Sequence, residues 1–490
     1  MSVVSLKFIV FFLGVFIFYY LMPQKAKPYW LLVMSYGFYS LFGIKNLLIL
    51  LATTIVVYIG ACFIEKYQGN KKKKNIILIL ELIFSIGLLV VFKYSNFIIE
   101  NVNTIAEKLH MSYQFNEVSL ILPAGISFYV FSVISYTIDV YRGTYAAEKN
   151  FFKFALYISY FPKVTSGPIE RFGDFKEQLE RKITFDYENV KDGFLLAALG
   201  FAQKLIVADR LGVMVSTVFG NYNQYSGFTV FLASIMYTLQ IYWDFTGYTN
   251  IALGASQMLG IKMKDNFRQP YLAVTIRDFW KRWHISLTSW FGSYLYIPLG
   301  GNRKGKLRKY INIMIVFGVS GLWHGASWNF IIWGLLHGVY QVMEDVIAPA
   351  INGINKKLSV RTDTFSYRFG QRTVTFLLVN FAWIFFGANG TRNALGIIKQ
   401  MFAEFNPWIF FDGSLYKLGI SQKQFSLTLF VIGILIFIDI CREKISMRDW
   451  IRKQNLWFRW LLYLMLLFGV IIFGYYNNGY DASSFIYNNF

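Results

Sequence analysis

The amino-acid sequence predicts an all-α protein that crosses a membrane many times. Hydrophobic residues make up 56% of the 490-residue chain and charged residues only 15%, whereas a soluble domain carries about 25% charged residues. The basic residues also cluster between apolar runs, as they do in membrane proteins. We therefore expect one integral domain over residues 1–490 in the cell membrane, built from about 11–13 transmembrane or re-entrant helices.

The apolar runs define the candidate spans, because a helix needs about 20 apolar residues to cross a bilayer. The runs that we interpret as spans are 4–21, 29–43, 47–64, 75–92, 120–141, 193–209, 227–243, 311–323, 328–343, 373–388, 425–441 and 457–475. Three shorter or interrupted runs lie at 151–162, 249–262 and 285–299. They suit re-entrant or broken helices, which are tolerated where they are buried in protein or line a cavity.

The distribution of lysine and arginine predicts the topology. Lys71–Lys74 is the strongest cytoplasmic marker. Counting spans from it places the loops at 94–119 and 389–424 outside and the polar loop at 344–372 inside. The net charge of +21 is then a consequence of topology, and we expect no nucleic-acid partner. With two cysteines and four scattered histidines, neither a disulfide framework nor a metal site is indicated.

The first polar group inside apolar sequence is Asp244, in the stretch 242–248. It either caps a following helix at 249–262 or lines an internal cavity and contributes to substrate binding. Gly247 suits a kink or a close approach of two backbones.

The stretch 277–284 is amphipathic, aromatic and basic. It is either an interfacial helix that binds anionic lipid headgroups or the entrance of a binding site that attracts an anionic donor such as a coenzyme A thioester. In the second case Lys281 and Arg282 hold phosphate, while Trp280 and Trp283 flank the acyl arm. The loop at 300–306 lacks the spacing of a phosphate loop and is interpreted as a tight basic turn.

Two histidines stand beside tryptophans, in Trp283-His284 and Trp323-His324. A histidine at membrane depth is costly, and its near-neutral pKa suits proton transfer. His284 opens the run 285–299 and is either a structural residue at a helix start or a donor-side residue. His324 lies between two apolar runs, in the outer half of the membrane, and is either a packing residue or the general base.

The residues around His324 favour chemistry there. Small neighbours at 321, 325 and 326 would let a substrate come close. Ser327 and Asn329 would donate hydrogen bonds to a developing oxyanion or orient the imidazole. His337 is expected to support the reacting groups, and His110 to be incidental in an outer loop.

Taken together, these stretches resemble the membrane-bound O-acyltransferase family, and within it the bacterial alginate O-acetyltransferases and teichoic-acid D-alanine transfer proteins. The stretches that carry the resemblance are 161–169, 242–248, 266–271, 279–286, 294–301, 321–329, 333–338 and 485–487, with a signature core at about 237–338. The resemblance implies helices arranged in a ring around a thinned core with a cross-membrane tunnel. It implies that His324 is essential and that His284 is a second signature residue. Asn250 departs from the pattern, since aspartate is expected there.

The resemblance also implies a reaction and its partners. Acetyl-CoA or another acyl thioester would serve as donor substrate, with no bound cofactor and no metal. His324 would deprotonate an acceptor hydroxyl, with Trp323 among the residues that contact substrate. The implied partners are a polysaccharide acceptor, its synthase complex, membrane lipids and an extracytoplasmic acetyltransferase of the SGNH type.

Several other functions remain open from the sequence. D-alanyl transfer to teichoic acid is one, although the chain length favours acetyl transfer. The others are a transporter or flippase for polysaccharide or donor, an acyltransferase that acts on lipid or protein at the cytoplasmic face, and a scaffold without chemistry.

Overall fold

The computed structural model describes residues 2–111, 113–404 and 406–476. Within these ranges the ordered elements are helices and there is no strand, so the predicted all-α class is confirmed. The C-terminal motif at 485–487 lies outside the described residues. The chain divides into two compact units. The first unit contains Met1–Phe194 and Ala252–Lys264, and the second contains Leu195–Ile251 and the residues from Asp265 onward.

The helices of the first unit follow the apolar runs near the N-terminus. They are α1 (Leu6–Leu21), α2 (Lys27–Ser40), α3 (Ile44–Lys66), α4 (Lys71–Leu89), α5 (Ser95–Lys108), α6 (Ile126–Arg142), α7 (Phe151–Ser159) and α8 (Phe172–Glu180). Two helices belong partly to each unit, α9 (Tyr187–Phe201) and α11 (Gly227–Met258).

The second unit holds the signature core. Its helices are α10 (Asp209–Gly220), α12 (Ile276–Arg282), α13 (Ile285–Phe291), α14 (Gly305–His324), α15 (Trp328–Lys357), α16 (Phe365–Gly387), α17 (Thr391–Met401), α18 (Gln422–Arg442), α19 (Met447–Arg452) and α20 (Leu456–Phe473). Helices α14 and α15 form an antiparallel pair joined by the short turn at 325–327.

Six helical segments in the described residues are long and apolar enough to cross a membrane. They are α3, the continuous segment Lys71–Lys108, α15, α16, α18 and α20. Helix α1 is apolar but shorter. The apolar surface of α20 is largely exposed, as a lipid-facing helix requires. The chain is thus a polytopic membrane protein, as the composition predicts.

Two boundaries differ from the sequence prediction. The runs 227–243 and 249–262 are not separate, because α11 continues through Asp244 to Met258. Asp244 therefore does not cap a following helix, and that prediction was wrong. The expected loop at 344–372 is also mostly helical, since α15 ends at Lys357 and α16 begins at Phe365.

A buried ion triad explains why α11 continues through a carboxylate. Lys204 Nζ lies 2.6 Å from Asp244 Oδ1 and 2.7 Å from Asp209 Oδ1, and none of these side chains is more than 3% exposed. Lys204 belongs to a π-helical turn, Ala202–Ala208, that follows α9. Because a buried carboxylate is tolerated only when it is paired, this lysine allows the helix to carry Asp244 in its interior.

The same two segments meet backbone to backbone. A Cβ added to Gly200 would lie 2.5 Å from the carbonyl oxygen of Gly247, and one added to Gly247 would lie 2.7 Å from that of Gly200. The close approach expected at Gly247 is therefore confirmed. One turn further on, Asn250 Nδ2 donates to Gln203 Oε1 at 2.8 Å, so the residue that departs from the family pattern has a neutral amide as its partner.

Removal of the central lysine is expected to destabilise the second unit. Lys204→Met leaves Asp209 and Asp244 buried without their cation, which costs about 3–5 kcal/mol in comparable pairs. We expect a large fall in the thermal unfolding temperature of the detergent-purified protein. Lys356→Met, at an exposed lysine near the end of α15, is the control and should change stability by less than about 0.5 kcal/mol. Equal unfolding temperatures for the two variants would contradict the role of the triad.

Candidate active site

His284 lies in the sharp junction between α12 and α13. It is fully buried, and its backbone has φ 44° and ψ 53°, in the left-handed region. Non-glycine residues adopt this region rarely, and histidine is among the more tolerant types. His284 is outside the six candidate spans, and burial lowers its pKa to about 3. The imidazole is therefore neutral.

Asn266 determines which nitrogen of His284 carries the proton. The backbone N–H of Ser286 donates to Asn266 Oδ1 at 3.2 Å, and the Ser286 hydroxyl donates to it at 2.9 Å. A backbone N–H can only donate, so this atom of Asn266 is the carbonyl oxygen. His284 Nδ1, which lies 3.2 Å from it, must then donate as well. The neutral ring accordingly has its basic lone pair on Nε2.

His324 ends α14 inside a box of aromatic rings. Its ring centroid lies 4.8 Å from Trp323, 4.9 Å from Trp333 and 5.3 Å from Phe386. The imidazole is only 3% exposed. Trp333 and Phe386 come from α15 and α16, so three helices fix the position of this ring.

Trp323 connects the two signature histidines. Its ring contacts His324 at 4.8 Å and His284 at 6.1 Å. The His284 ring also contacts Phe245 of α11 edge to face, with ring centroids 4.8 Å apart. The sequence predicts two ends of one passage rather than a catalytic dyad, and in the structure the Trp323 indole contacts both rings.

The two polar residues beyond His324 are placed differently from each other. Asn329 Nδ2 donates to the carbonyl oxygens of Phe385 and Ala388, at 3.0 and 3.2 Å. It thereby satisfies the C-terminal end of α16, whose last carbonyls have no partner within the helix. An oxyanion would have to compete with these carbonyls for the same amide. Ser327 is the N-cap position of α15, without a side-chain capping bond, and is half-buried.

The glycines around His324 serve helix packing. A Cβ on Gly321 would lie 2.3 Å from the carbonyl oxygen of Phe330, and one on Gly334 would lie 2.2 Å from that of Phe317. The space beside Gly325 is filled by the Phe330 ring, 2.2 Å from the corresponding Cβ position. The expectation that small residues at 321 and 325 leave room for a substrate was wrong, because Phe330 occupies that room.

A cavity of about 430 Å³ opens between α12, α13, α14 and α15. We call it the α14 cavity; its walls are mostly apolar and aromatic, with basic and amide side chains among them. The residues that line it are Arg277, Trp280, Lys281, Leu287, Thr288, Phe291, Gly292, Tyr296, Asn302, Lys309, Ile313, Val316, Phe317, Ser320 and Gln341.

The cavity runs along one face of α14 towards His324. Its lining residues on this helix begin at Lys309 and end at Ser320, one helical turn before His324. From Lys309 to His324 the helix rises about 22 Å. On α13 the lining begins at Leu287 and Thr288, one turn after His284, whose carbonyl accepts from the Thr288 N–H at 3.0 Å. The cavity thus passes within one turn of both histidines.

Three cations border the α14 cavity, and one carboxylate holds two of them. Asp345 pairs with Arg277 at 2.8 Å and also with Lys309. Lys281 is exposed at the cavity wall, and no carboxylate of the described residues forms an ion pair with it. The cavity border therefore carries a net positive charge.

Arg282 and Trp283 lie outside the cavity lining of the described residues. The Arg282 guanidinium pairs with Asp278 at 2.9 Å and Glu443 at 2.7 Å, so it would bind phosphate only by exchanging a carboxylate. Trp283 is 1% exposed and stacks on Phe279 with ring centroids 5.6 Å apart. It holds α12 in place.

The remaining candidates have different surroundings. Asp244 is held by Lys204 and belongs to the ion triad of α11. His337 is fully buried in α15, where Trp280 donates a hydrogen bond to its Nδ1. His110 is exposed in the first unit, with φ 54°. Among the described residues no group of three or more histidine, cysteine or acidic side chains is arranged to hold a metal ion.

Several residues of the site carry no role in the sequence prediction. Phe245, Asn266 and Phe386 touch or orient the histidines. Asn266 and Phe245 fall in stretches that the sequence singles out, but their partners are 18 and 39 positions away in the chain. Periodicity along α14 would have found the cavity face, because Lys309, Ile313, Val316 and Ser320 repeat at three- and four-residue intervals.

Comparison with known proteins gives one family. The model of the membrane-bound O-acyltransferase family matches residues 31–387. The chain is 35% identical over 402 residues to the probable alginate O-acetylase AlgI of Pseudomonas syringae pv. tomato, covering 82% of this chain and 75% of that protein. It is 33% identical over 429 residues to the peptidoglycan O-acetyltransferase of Helicobacter pylori, covering 80% and 78%.

A more distant similarity extends over the middle of the chain. The teichoic acid D-alanyltransferase of Streptococcus thermophilus is 29% identical over 255 residues, which cover 49% of this chain and 60% of that protein. The family match covers most of the chain, and the first relatives exceed 30% identity over four fifths of it. The chain therefore belongs to the membrane-bound O-acyltransferase family, and it is an acyltransferase embedded in a membrane.

Proposed function

We propose that this protein takes an acetyl group from a cytoplasmic thioester, such as acetyl-CoA, and passes it across the cell membrane for O-acetylation of an extracytoplasmic glycan. The observation that carries the proposal is the face of α14 that runs from Lys309 along the cavity to His324. It joins a basic entrance to the buried imidazole that the family resemblance makes essential. The names of the relatives, an alginate O-acetylase and a peptidoglycan O-acetyltransferase, support a glycan as the final acceptor.

The α14 cavity suits a thioester donor with an anionic end. Lys281, Arg277 and Lys309 would attract its phosphates, and the apolar wall would accommodate the uncharged arm. A volume of about 430 Å³ is within the usual range for small-molecule sites. It is far larger than an acetyl group needs, so the arm as well as the acyl group would be enclosed.

The chemical step follows from His324. Its imidazole would take the proton from an acceptor hydroxyl while the hydroxyl oxygen attacks the thioester carbonyl. A carbon–oxygen bond forms, the carbon–sulfur bond breaks, and the thiolate takes the proton back from the imidazolium. The aromatic box excludes water, which would otherwise hydrolyse the thioester. His284 would stand on the donor side, with its Nε2 lone pair in the fully buried ring.

The acceptor side would lie outside the cell. The lysine and arginine distribution supports an outer location for the α14–α15 turn. An extracytoplasmic acetyltransferase of the SGNH type, or the glycan itself, would receive the acetyl group there, next to the glycan synthase. Transfer of D-alanine to teichoic acid is the second candidate function. It is supported by the similarity to a D-alanyltransferase over half of the chain.

Loss of the His324 imidazole is expected to abolish transfer. His324→Ala and His324→Gln should each reduce acetylation of cell-surface glycan by about 10²-fold or more, since general-base catalysis contributes about 10²–10⁴-fold. The measurement is glycan O-acetyl content in cells that lack the native gene. His110→Asn, at an exposed position with a left-handed backbone that asparagine also tolerates, is the control and should retain activity. Normal acetylation by His324→Ala would refute the proposed chemistry.

Filling the α14 cavity is expected to weaken donor binding. A Cβ at Gly292, a residue of the cavity wall, would meet no atom within 4 Å, so Gly292→Leu adds its Cβ without a clash and would fill part of the cavity. We expect the KM for acetyl-CoA to rise by roughly tenfold, about 1.4 kcal/mol, in thioester turnover by purified protein.

The matched control is Gly370→Leu, on an exposed part of α16 where a Cβ also meets no atom. It should leave the KM unchanged. The same pair of variants should be assayed with a D-alanyl carrier-protein thioester. Turnover of that donor alone would replace acetyl transfer by D-alanyl transfer, and an unchanged KM in Gly292→Leu would remove the cavity from the mechanism.

The position of the α14–α15 turn relative to the membrane is directly measurable. Trp328 is 54% exposed at the start of α15. In a protein whose Cys62 and Cys441 are replaced by serine, Trp328→Cys should react with a membrane-impermeant maleimide added outside intact cells. Lys356→Cys should react only after the membrane is opened. The opposite pattern would favour a reaction at the cytoplasmic face.

A further inference from the structure

A buried hydrogen bond connects Trp280, in the wall of the α14 cavity, to His337 of α15. Trp280 Nε1 donates to His337 Nδ1 at 3.2 Å. His337 is fully buried and Trp280 is 5% exposed. The two residues belong to α12 and α15, so this hydrogen bond connects a short helix to a helix long enough to cross the membrane.

The donor in this bond defines the state of His337. An indole N–H can only donate, so His337 Nδ1 must accept and cannot carry a proton. The proton of the neutral ring is therefore on Nε2. This is the opposite tautomer to that of His284, whose Nδ1 donates to Asn266.

The hydrogen bond fixes a wall of the cavity. Trp280 lines the α14 cavity, and its ring packs edge to face on Phe317, another lining residue, at 5.1 Å. His337 stacks on Phe317 at 6.3 Å. The imidazole therefore stands behind two aromatic side chains that line the cavity, and it is hydrogen-bonded to one of them, Trp280.

The His337 imidazole is also connected to His324, through the ring of Trp333. His337 contacts Trp333 at 5.2 Å, and Trp333 contacts His324 at 4.9 Å. A displacement of the Trp280 ring would therefore act first on the cavity wall and only through two further rings on His324.

We propose that His337 is a positioning residue, which holds the Trp280 indole in the orientation that shapes the α14 cavity for the acyl donor. The proposal rests on the proposed function, since it assigns the donor to this cavity. An apolar side chain at position 337 would fill the same space. The buried polar pair would specify one ring orientation, which apolar packing alone would not.

Kinetics of matched variants separate positioning from general packing. Trp280→Phe and His337→Leu each remove one partner and should raise the KM for acetyl-CoA by about tenfold, with kcat changed by less than about threefold. His337→Asn places an acceptor near the former Nδ1 and should return the KM to within about threefold of the native value. Trp460→Phe, on the exposed surface of α20, should change neither constant.

The double variant provides the decisive comparison. If the two residues act through their shared hydrogen bond, Trp280→Phe with His337→Leu should raise the KM no more than the stronger single variant does. Additive effects on the KM, or equal losses in His337→Asn and His337→Leu, would overturn the positioning role.

A spectroscopic measurement is independent of any activity. The chain has four histidines, so ¹⁵N-histidine labelling yields few resonances, and His337→Asn assigns one set. We expect the His337 ring to show an unprotonated Nδ1 and a protonated Nε2, with a change in the Nδ1 shift in Trp280→Phe. The reverse tautomer would disprove the pair even if the protein acetylates glycans, and the expected tautomer in an inactive protein would disprove only the proposed donor.

Discussion

Burial of neutral imidazoles is the constraint on which the site depends. Burial among aromatic rings favours the neutral form of His284 and of His337 at rest, and the Nδ1 atom of each of these two rings has a hydrogen-bond partner. The partner of Nδ1 is Asn266 in His284 and Trp280 in His337, and the two rings are opposite tautomers. The residue at this junction, His284, has a left-handed backbone, and its ring contacts Asn266 and Phe245.

Close helix packing supplies the rigidity that this arrangement needs. Glycine contacts bring α14 against α15 at Gly321 and Gly334, and bring α9 against α11 at Gly200 and Gly247. In the first pair they fix the end of α14, where His324 lies. In the second they fix the part of α11 that carries Phe245 to His284. Backbone contact leaves little freedom for either ring to move.

The sequence predicts the helical class and most apolar segments, because these depend on local composition, and its short motifs single out the two histidines that contact Trp323 in the structure. It misses contacts between distant segments. From the sequence Asp244 marks the end of a helix. In the structure Lys204, forty residues earlier in the chain, pairs with this carboxylate and the helix continues. From the sequence Arg282 is available for phosphate, but in the structure it pairs with Glu443, the residue that follows α18. From the sequence the space beside Gly325 is open to a substrate, but in the structure the Phe330 ring fills it. In each case the deciding partner is a matter of tertiary packing.

The carboxylate of Asp345 has a consequence for ligand selection. It holds Arg277 and Lys309, so an anion that binds these two cations must exchange with it, whereas Lys281 forms no ion pair with a carboxylate of the described residues. An uncharged thioester gains nothing from that exchange and leaves both ion pairs intact. A ligand with several phosphate charges can outcompete a single carboxylate for two cations. If the α14 cavity binds the donor as proposed, these ion pairs would favour a thioester with several phosphate charges over a small neutral thioester.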